Sequence, residues 1–270
     1  MEATMKNILL LVHADDGQEA RLQTALDLTR ALDGHLTCID VTQSPVVAGD
    51  LYAGFGEAVM LTDERENEAK NRAALTERLS HEDVRWDWID ATGDIASCVL
   101  EAATLADLIV LNRTLDAYPL PDMRTIASRI VMHAHKPIIA VPEKLERFNA
   151  AGRALIAWDG QASAADTMRA CVPLLQLASD VHIFMARDGA EKTEPTEAAE
   201  YLSRHGVHAS VKIVDDGLHA PDALIAEEAA LWHADYVLMG AYSHGRLLEA
   251  FGGVTKRMLT KSKLPLVLGH

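Results

Sequence analysis

Positive charge is scarce in this chain: 25 lysines and arginines face 40 aspartates and glutamates, a formal net charge of −15. Neutralising a phosphate backbone takes clustered cations, and here they are scattered, so a nucleic-acid surface is not expected. Cysteine is nearly absent. Cys38, Cys98 and Cys171 lie far apart in apolar contexts, which implies reduced thiols and no disulfide framework. Long apolar runs are missing too: the first extends only from Ile8 to Val12 before Asp15-Asp16, too short for a signal-peptide core, and no window approaches a membrane span. The expectation is a cytoplasmic protein with no membrane partner. Metal and catalytic signatures are also lacking. Twelve histidines are dispersed, His133-Ala-His135 being a close pair, with no cysteine pair beside them and no His-Glu-x-x-His, so no metal site is assigned. No Ser/His/Asp or Cys/His arrangement can be argued from spacing, and no catalytic residue is named.

What the chain has is core-forming material: 270 residues with 49% hydrophobic content, enough for one large domain or two ordinary ones. Asn7-Ile-Leu-Leu-Leu-Val12 is an unbroken apolar run suited to a parallel strand covered on both faces. A helix to about Leu32, stopped near Gly34, follows it, and Leu36 to Val41 is a second strand. The stretch 44–62 reads as a loop and 63–79 as a charged amphipathic helix. Arg85-Trp-Asp-Trp-Ile89 alternates as a strand, Gly93-Asp94 opens a helix through Ala103, and Leu108 to Leu111 and Pro137 to Val141 complete five strands.

The second half repeats this plan. Ala154 to Trp158 with Asp159-Gly160 mirrors Ile8 to Gly17, Val181 to Met185 mirrors the second strand, and Ser210 to Val214 mirrors the third. Ala220 to Leu231 mirrors the helix after Gly93, and Ala234-Asp235 to Met239 mirrors Ala106-Asp107 to Leu111. Several landmarks recurring in one order mark an internal duplication. The expected division is 1–142, a polar linker at 143–152, and 153–270. Alternating strands and helices with short connections imply an α/β fold of two tandem, doubly wound, parallel five-stranded sheets.

One stretch carries chemistry. After the strand Tyr236 to Met239 comes Gly240-Ala-Tyr-Ser-His-Gly-Arg-Leu-Leu-Glu-Ala-Phe-Gly-Gly-Val-Thr255, a glycine turn, a loop and a glycine pair that opens a helix. Glycines let backbone approach an anion, and a helix N-terminus presents free N–H groups and a positive dipole end. This order, closed by the strand Pro265 to Leu268, resembles the nucleotide-binding end of universal stress proteins. Their pattern is Gly, two residues, Gly, nine residues, Gly and a small residue. Gly240 matches the first glycine, Gly252 the last and Gly253 the small residue, with a family-like Val254 to Leu259 behind them. Ser243 stands where the second glycine belongs, Gly245 follows two places later, and the loop is one residue short.

The resemblance implies a Rossmann-like strand order 3-2-1-4-5 in each half. It also implies that Asp159 contacts the adenine side, that main chain at Val214 lines the base pocket, and that the glycine loop with Gly252 and Gly253 holds ribose and phosphates. The candidate ligand residues are therefore Trp158, Asp159, Val214, Met239, Gly240, Ser243, His244, Gly245, Arg246, Gly252, Gly253, Val254 and Thr255. Plainer readings stand beside these: Asp159-Gly160 also fits a simple turn, Trp158 fits core packing, His244 and Arg246 fit a solvated loop, and Thr255 fits a helix cap. The implied ligand is an adenine nucleotide, ATP, with magnesium held by phosphates and water. The implied role is a stress-response module that signals by nucleotide occupancy, the alternatives being an interaction protein with a vestigial site or a slow ATP-hydrolysing enzyme. In the first half the aligned loop, Asn112 to Thr125, contains no glycine, has Pro119 and Pro121, and carries Asp116 and Asp122, so nucleotide is expected in the second half alone. Single-domain relatives pair through their last strand, so the strands at 138–141 and 266–268 are expected to meet inside one chain as a pseudo-dimer, and a further homodimer is compatible with this.

Overall fold

The computed structural model describes residues 5–42, 69–112, 123–187, 192–241 and 253–270. Its first element, β1 (Asn7–Val12), is buried at five of six positions, as an unbroken apolar run must be when both faces of a strand are covered. The first half continues with α1 (Gln18–Ala31), β2 (His35–Thr42), α2 (69–79), β3 (Arg85–Thr92), α3 (Ile95–Ala102), a 3-10 turn (Ala103–Leu105), β4 (Leu108–Asn112), α4 (Met123–His133) and β5 (Ile138–Val141). The second holds β6 (Arg153–Ala157), α5 (Ala162–Ala170), α6 (Val172–Leu175), β7 (Asp180–Ala186), α7 (Pro195–Arg204), β8 (Ala209–Val214), α8 (Pro221–Leu231), β9 (Tyr236–Gly240), α9 (Gly253–Lys261) and β10 (Leu266–Gly269).

The ten strands among the described residues form one sheet in the order β3-β2-β1-β4-β5-β10-β9-β6-β7-β8. Each half has the order 3-2-1-4-5, with parallel pairing throughout. The two halves join where β5 and β10 run antiparallel, Ala140 opposite Leu266 and Ile138 opposite Leu268. That pairing covers the two apolar last strands and leaves β3 and β8 as the outer edges. Both are half exposed and carry charge, Arg85, Asp87 and Asp90 on one and Lys212 on the other, which discourages further strand addition.

Two apolar layers flank the sheet. One holds Leu10, Leu26, Cys38, Ile156, Met168 and Leu174 beneath α1, α5 and α6; the other holds Leu9, Val99, Ile109, Ile130, Val237 and Met258 beneath α3, α4, α8 and α9. The three cysteines are free thiols. Burial pushes the Cys38 thiol up to about 12 and raises Cys171 further still. Among the described residues no helix is long and apolar enough to cross a membrane.

The duplicated Ala-Asp pair has a structural purpose. Asp107 Oδ2 accepts from the backbone N–H groups of Lys6 and Asn7, both at 2.9 Å. Asp235 Oδ2 accepts from Arg153 N at 2.7 Å. In each half one carboxylate thus pins the start of the first strand to the start of the fourth. The stretch 143–152, read from its polarity as a linker, packs onto both halves. Phe148 is buried, its N–H donates to Asp27 Oδ2 of α1 at 2.8 Å, and its ring lies 5.2 Å from that of Tyr236 in β9.

Candidate functional site

In an open α/β sheet, ligands bind beyond the carboxyl ends of the strands where the strand order reverses. In the second half that point lies between β6 and β9, neighbours in the register Ala157 opposite Met239. The chain leaves β6 through Trp158, Asp159 and Gly160, and leaves β9 through Gly240 and Ala241. Gly160 adopts φ +68°, the left-handed conformation that a non-glycine residue takes only with strain. Asp159 is half exposed at the crevice, and its carboxylate accepts from Gln161 N at 3.0 Å, holding the turn while keeping further acceptor capacity. Helix α9 returns from this end of the sheet, burying Thr255, Met258 and Leu259 and turning Gly253 to solvent. Its N-terminal end, with the positive end of its dipole, therefore lies at the carboxyl ends of the strands.

The candidate residues divide by what their side chains do. Trp158 is 3% exposed, and its indole Nε1 donates to Thr193 O at 3.0 Å, so the ring is committed to the core. Met239 and Thr255 are also buried, and Val254 packs against the layer beneath α8 and α9. Val214, the last residue of β8, accepts from Arg187 N through its carbonyl at 2.8 Å. Gly240 has a packing reason of its own: a Cβ there would lie 2.6 Å from Ala164 N and from Ser163 Oγ, because α5 crosses directly over it. Among the described residues Gly253 meets only the flexible end of Arg257, Nη1 at 3.0 Å from the position of its Cβ. Ser243, His244, Gly245, Arg246 and Gly252 lie outside the described residues. Of the set, the structure therefore brings Asp159, the backbone at Gly240 and the α9 end at Gly253 to the carboxyl end of the strands, with the β8 end two strands away from β6.

Sequence reasoning overlooked Arg257. It projects beside Gly253 at the first turn of α9, and its Nε donates to the buried Asp222 of α8 at 2.6 Å. The signal was available in the repeat: Arg129 precedes Pro137 by the same eight positions that separate Arg257 from Pro265. Arg129 likewise bridges two helices, donating to Asp94 Oδ1 at 2.8 Å. Asp94 also accepts from the Ser97 hydroxyl, and these partners hold its carboxyl below the usual carboxylate range.

The matching crevice of the first half, between β1 and β4, is differently built. Asp15 Oδ1 accepts from Gly17 N and from Arg21 Nη1, both at 2.8 Å, and Arg21 is 1% exposed. The other end of that guanidinium donates to His13 O at 2.8 Å. The acidic residue just beyond β1 is thus locked in a half-buried ion pair with a buried guanidinium. The residue six places beyond Asp159 is Ala165, so the second half has no such arginine. The first-half loop, residues 113–122, lies outside the described residues. Among the described residues there is no group of three or more His, Cys, Asp or Glu placed to hold a metal ion.

No family model and no curated protein matches the sequence. Solved structures do match. A universal stress protein from Archaeoglobus fulgidus superposes with a TM-score of 0.76 at 13% identity, covering 99% of this chain and 98% of that one. A putative universal stress protein from Pseudomonas aeruginosa UCBPP-PA14 gives 0.60 at 15% identity over 98% and 93%, and a functionally unknown protein from P. aeruginosa PAO1 gives 0.61 at 16% identity over 98% and 92%. Likeness at such low identity is a likeness of backbone, and it runs through both halves and the junction between them. The chain has, over its full length, the tandem universal stress protein fold.

Proposed function

We propose that the second half binds an adenine nucleotide, ATP, in the crevice between β6 and β9, and that the protein acts in the cytoplasm as a stress-response module whose signal is nucleotide occupancy. The observation that carries this is the convergence of Asp159 and the N-terminal end of α9 at the strand-order reversal. A carboxylate with acceptor capacity suits the amino and hydroxyl donors of a nucleoside, and a helix N-terminus suits its phosphates. Arg257 adds a cation at the same helix turn and would steady a phosphate. Magnesium would arrive with the nucleotide, held by phosphates and water. Trp158, Met239 and Thr255 would support the crevice from the core rather than touch the ligand.

The first half would stay empty, because Asp15 is already engaged by Arg21. Titration calorimetry should give one ATP per chain, and Gly253→Leu, which crowds an exposed helix end, should abolish binding while leaving the fold intact. ATP must also raise the thermal midpoint, since a ligand of the native state stabilises by mass action. Two equivalent sites, or no shift with millimolar ATP, overturn the reading in favour of an interaction protein. Steady phosphate release above that of Gly253→Leu would make it an enzyme.

A further inference from the structure

The two repeats differ on the sheet face beneath α3 and α8. In the second half, His182 of β7 is buried, its Nδ1 2.7 Å from Ser210 Oγ and its Nε2 3.1 Å from Glu228 Oε1. Lys212 donates to the other oxygen of Glu228. The Trp232 ring stacks on His182 with centroids 5.1 Å apart, and the Arg153 guanidinium lies 5.6 Å above Trp232. The place is full.

Strand register and burial pattern identify the counterparts. Leu9 faces Thr37 as Leu155 faces His182, and Thr37 faces Asp87 as His182 faces Ser210. Two residues further along the edge strands, Ile89 therefore corresponds to Lys212. Asn7 O receives the N–H of Asp107 as Arg153 O receives that of Asp235, which equates Asn7 with Arg153. Along the helices, buried Ala96, Val99 and Ala103 repeat buried Asp222, Ile225 and Ala229, which sets Ala102 against Glu228. Asp107 then follows Ala103 by four positions, whereas Asp235 follows Ala229 by six; Trp232 falls in the longer stretch. The first half thus has threonine for the imidazole, alanine for the carboxylate and nothing for the indole.

The result is a groove of about 420 Å³ bordered by Leu9, Thr37, Asp87, Ile89, Ala102 and Leu105. Leu105 is 83% exposed beside it. Its size is that of a small-molecule site. Its electrostatics are reversed relative to the filled copy: Arg153, Ser210 and Lys212 become Asn7, Asp87 and Ile89 while Glu228 becomes Ala102, so two cations are gone and the one carboxylate moves from the helix to the edge strand. Asp87 shares one oxygen with His35 Nε2 at 3.0 Å and keeps the other for a donor. We infer that this groove is a binding site for a small aromatic amine, its ring taking the place that Trp232 fills in the other repeat and its ammonium group pairing with Asp87. The site lies near the amino ends of the strands, away from both crevices, and does not depend on nucleotide binding.

Tryptamine and its neutral analogue 3-methylindole are suitable probes, titrated into the full chain by calorimetry and ligand-observed NMR. Tryptamine should bind once per chain. Ala102→Phe, which fills the groove, should abolish binding of both probes. Asp87→Asn, which preserves its shape, should weaken tryptamine roughly tenfold and leave 3-methylindole unchanged. Absence of saturable tryptamine binding at millimolar concentration, or unchanged binding to Ala102→Phe with a native circular dichroism spectrum, overturns the inference. A dimer in sedimentation that Ala102→Phe disperses would assign the groove to a second copy of the chain instead.

Discussion

Replacing Gly240 by alanine separates the packing role of that residue from any ligand role. Its Cβ would stand 2.6 Å from Ala164 N and Ser163 Oγ and 3.0 Å from Ala164 Cα, where ordinary contact begins at 3.4 Å. Two of these three atoms are helix backbone, so rotamer changes cannot relieve the clash; α5 itself must move. It is held on the next strand as well, since a Cβ on Gly269 would lie 2.4 Å from Thr167 Oγ1 of the same helix. Overpacking of this kind costs about 1–3 kcal/mol, and a fixed helix argues for the upper part of that range. For a chain of this size, in which 1 kcal/mol moves the thermal midpoint by about 2 °C, the midpoint should fall by about 4–6 °C. Scanning calorimetry without ligand, with a urea midpoint as a second measure, reads the effect directly. Gly253→Ala is the matched control: Gly253 is exposed, meets only the movable end of Arg257 among the described residues, and should lose no stability, since alanine in a helix is favoured over glycine by up to about 1 kcal/mol. An unchanged midpoint in Gly240→Ala, or an equal fall in both variants, refutes the reasoning.

Asp235→Ala should destabilise by about 1–3 kcal/mol, because Arg153 N and Asn149 Nδ2 lose their acceptor, and Asp235→Asn should recover part of that in urea denaturation. Tyr236→Phe should raise stability by about 1 kcal/mol, since the tyrosine hydroxyl is the one buried side-chain polar atom without a hydrogen-bond partner among the described residues; a measured loss would reveal a partner. Burial holds the His182 imidazole below its usual value despite the pull of Glu228. The unfolded chain therefore takes up this proton first, and the contribution of His182 is complete above about pH 6.5 and is lost as pH falls through its folded value. His182→Gln should flatten the midpoint-against-pH curve in that window and leave the acid limb set by Asp94 and Asp216 in place, because those carboxyls are held low and lose their contribution only further down.

Much of the architecture was legible because it is written in local pattern. The unbroken runs of β1, β4, β6 and β9 could only be strands covered on both faces, and Ala106-Asp107 recurring as Ala234-Asp235 exposed the duplication before any coordinates. What stayed hidden depends on residues distant in sequence. No spacing rule shows that Arg21, six places after Asp15, would bury its guanidinium against that carboxylate. Gly240 carries the same letter whether it admits a phosphate or a helix, and only the approach of Ala164 tells the two apart. The polarity of 143–152 marks a linker, but that Phe148, its one aromatic residue, packs onto both halves is not written in its charged neighbours. The groove beneath α3 is subtler still, for it arises from two residues that the first repeat lacks, and a deletion has no letter of its own.

The antiparallel meeting of β5 and β10 sets the polarity of the whole molecule. Every strand on one side of that seam points its carboxyl end one way, and every strand on the other side points it the opposite way. The two crevices therefore open at opposite poles of a single slab, and nothing small enough to fit one can reach the other. Whatever occupies the crevice between β6 and β9 would leave the other pole, where Asp15 is engaged by Arg21, open to a different contact. The duplication has thus produced two ends that face apart, and any coupling between them must cross a seam of four-residue strands.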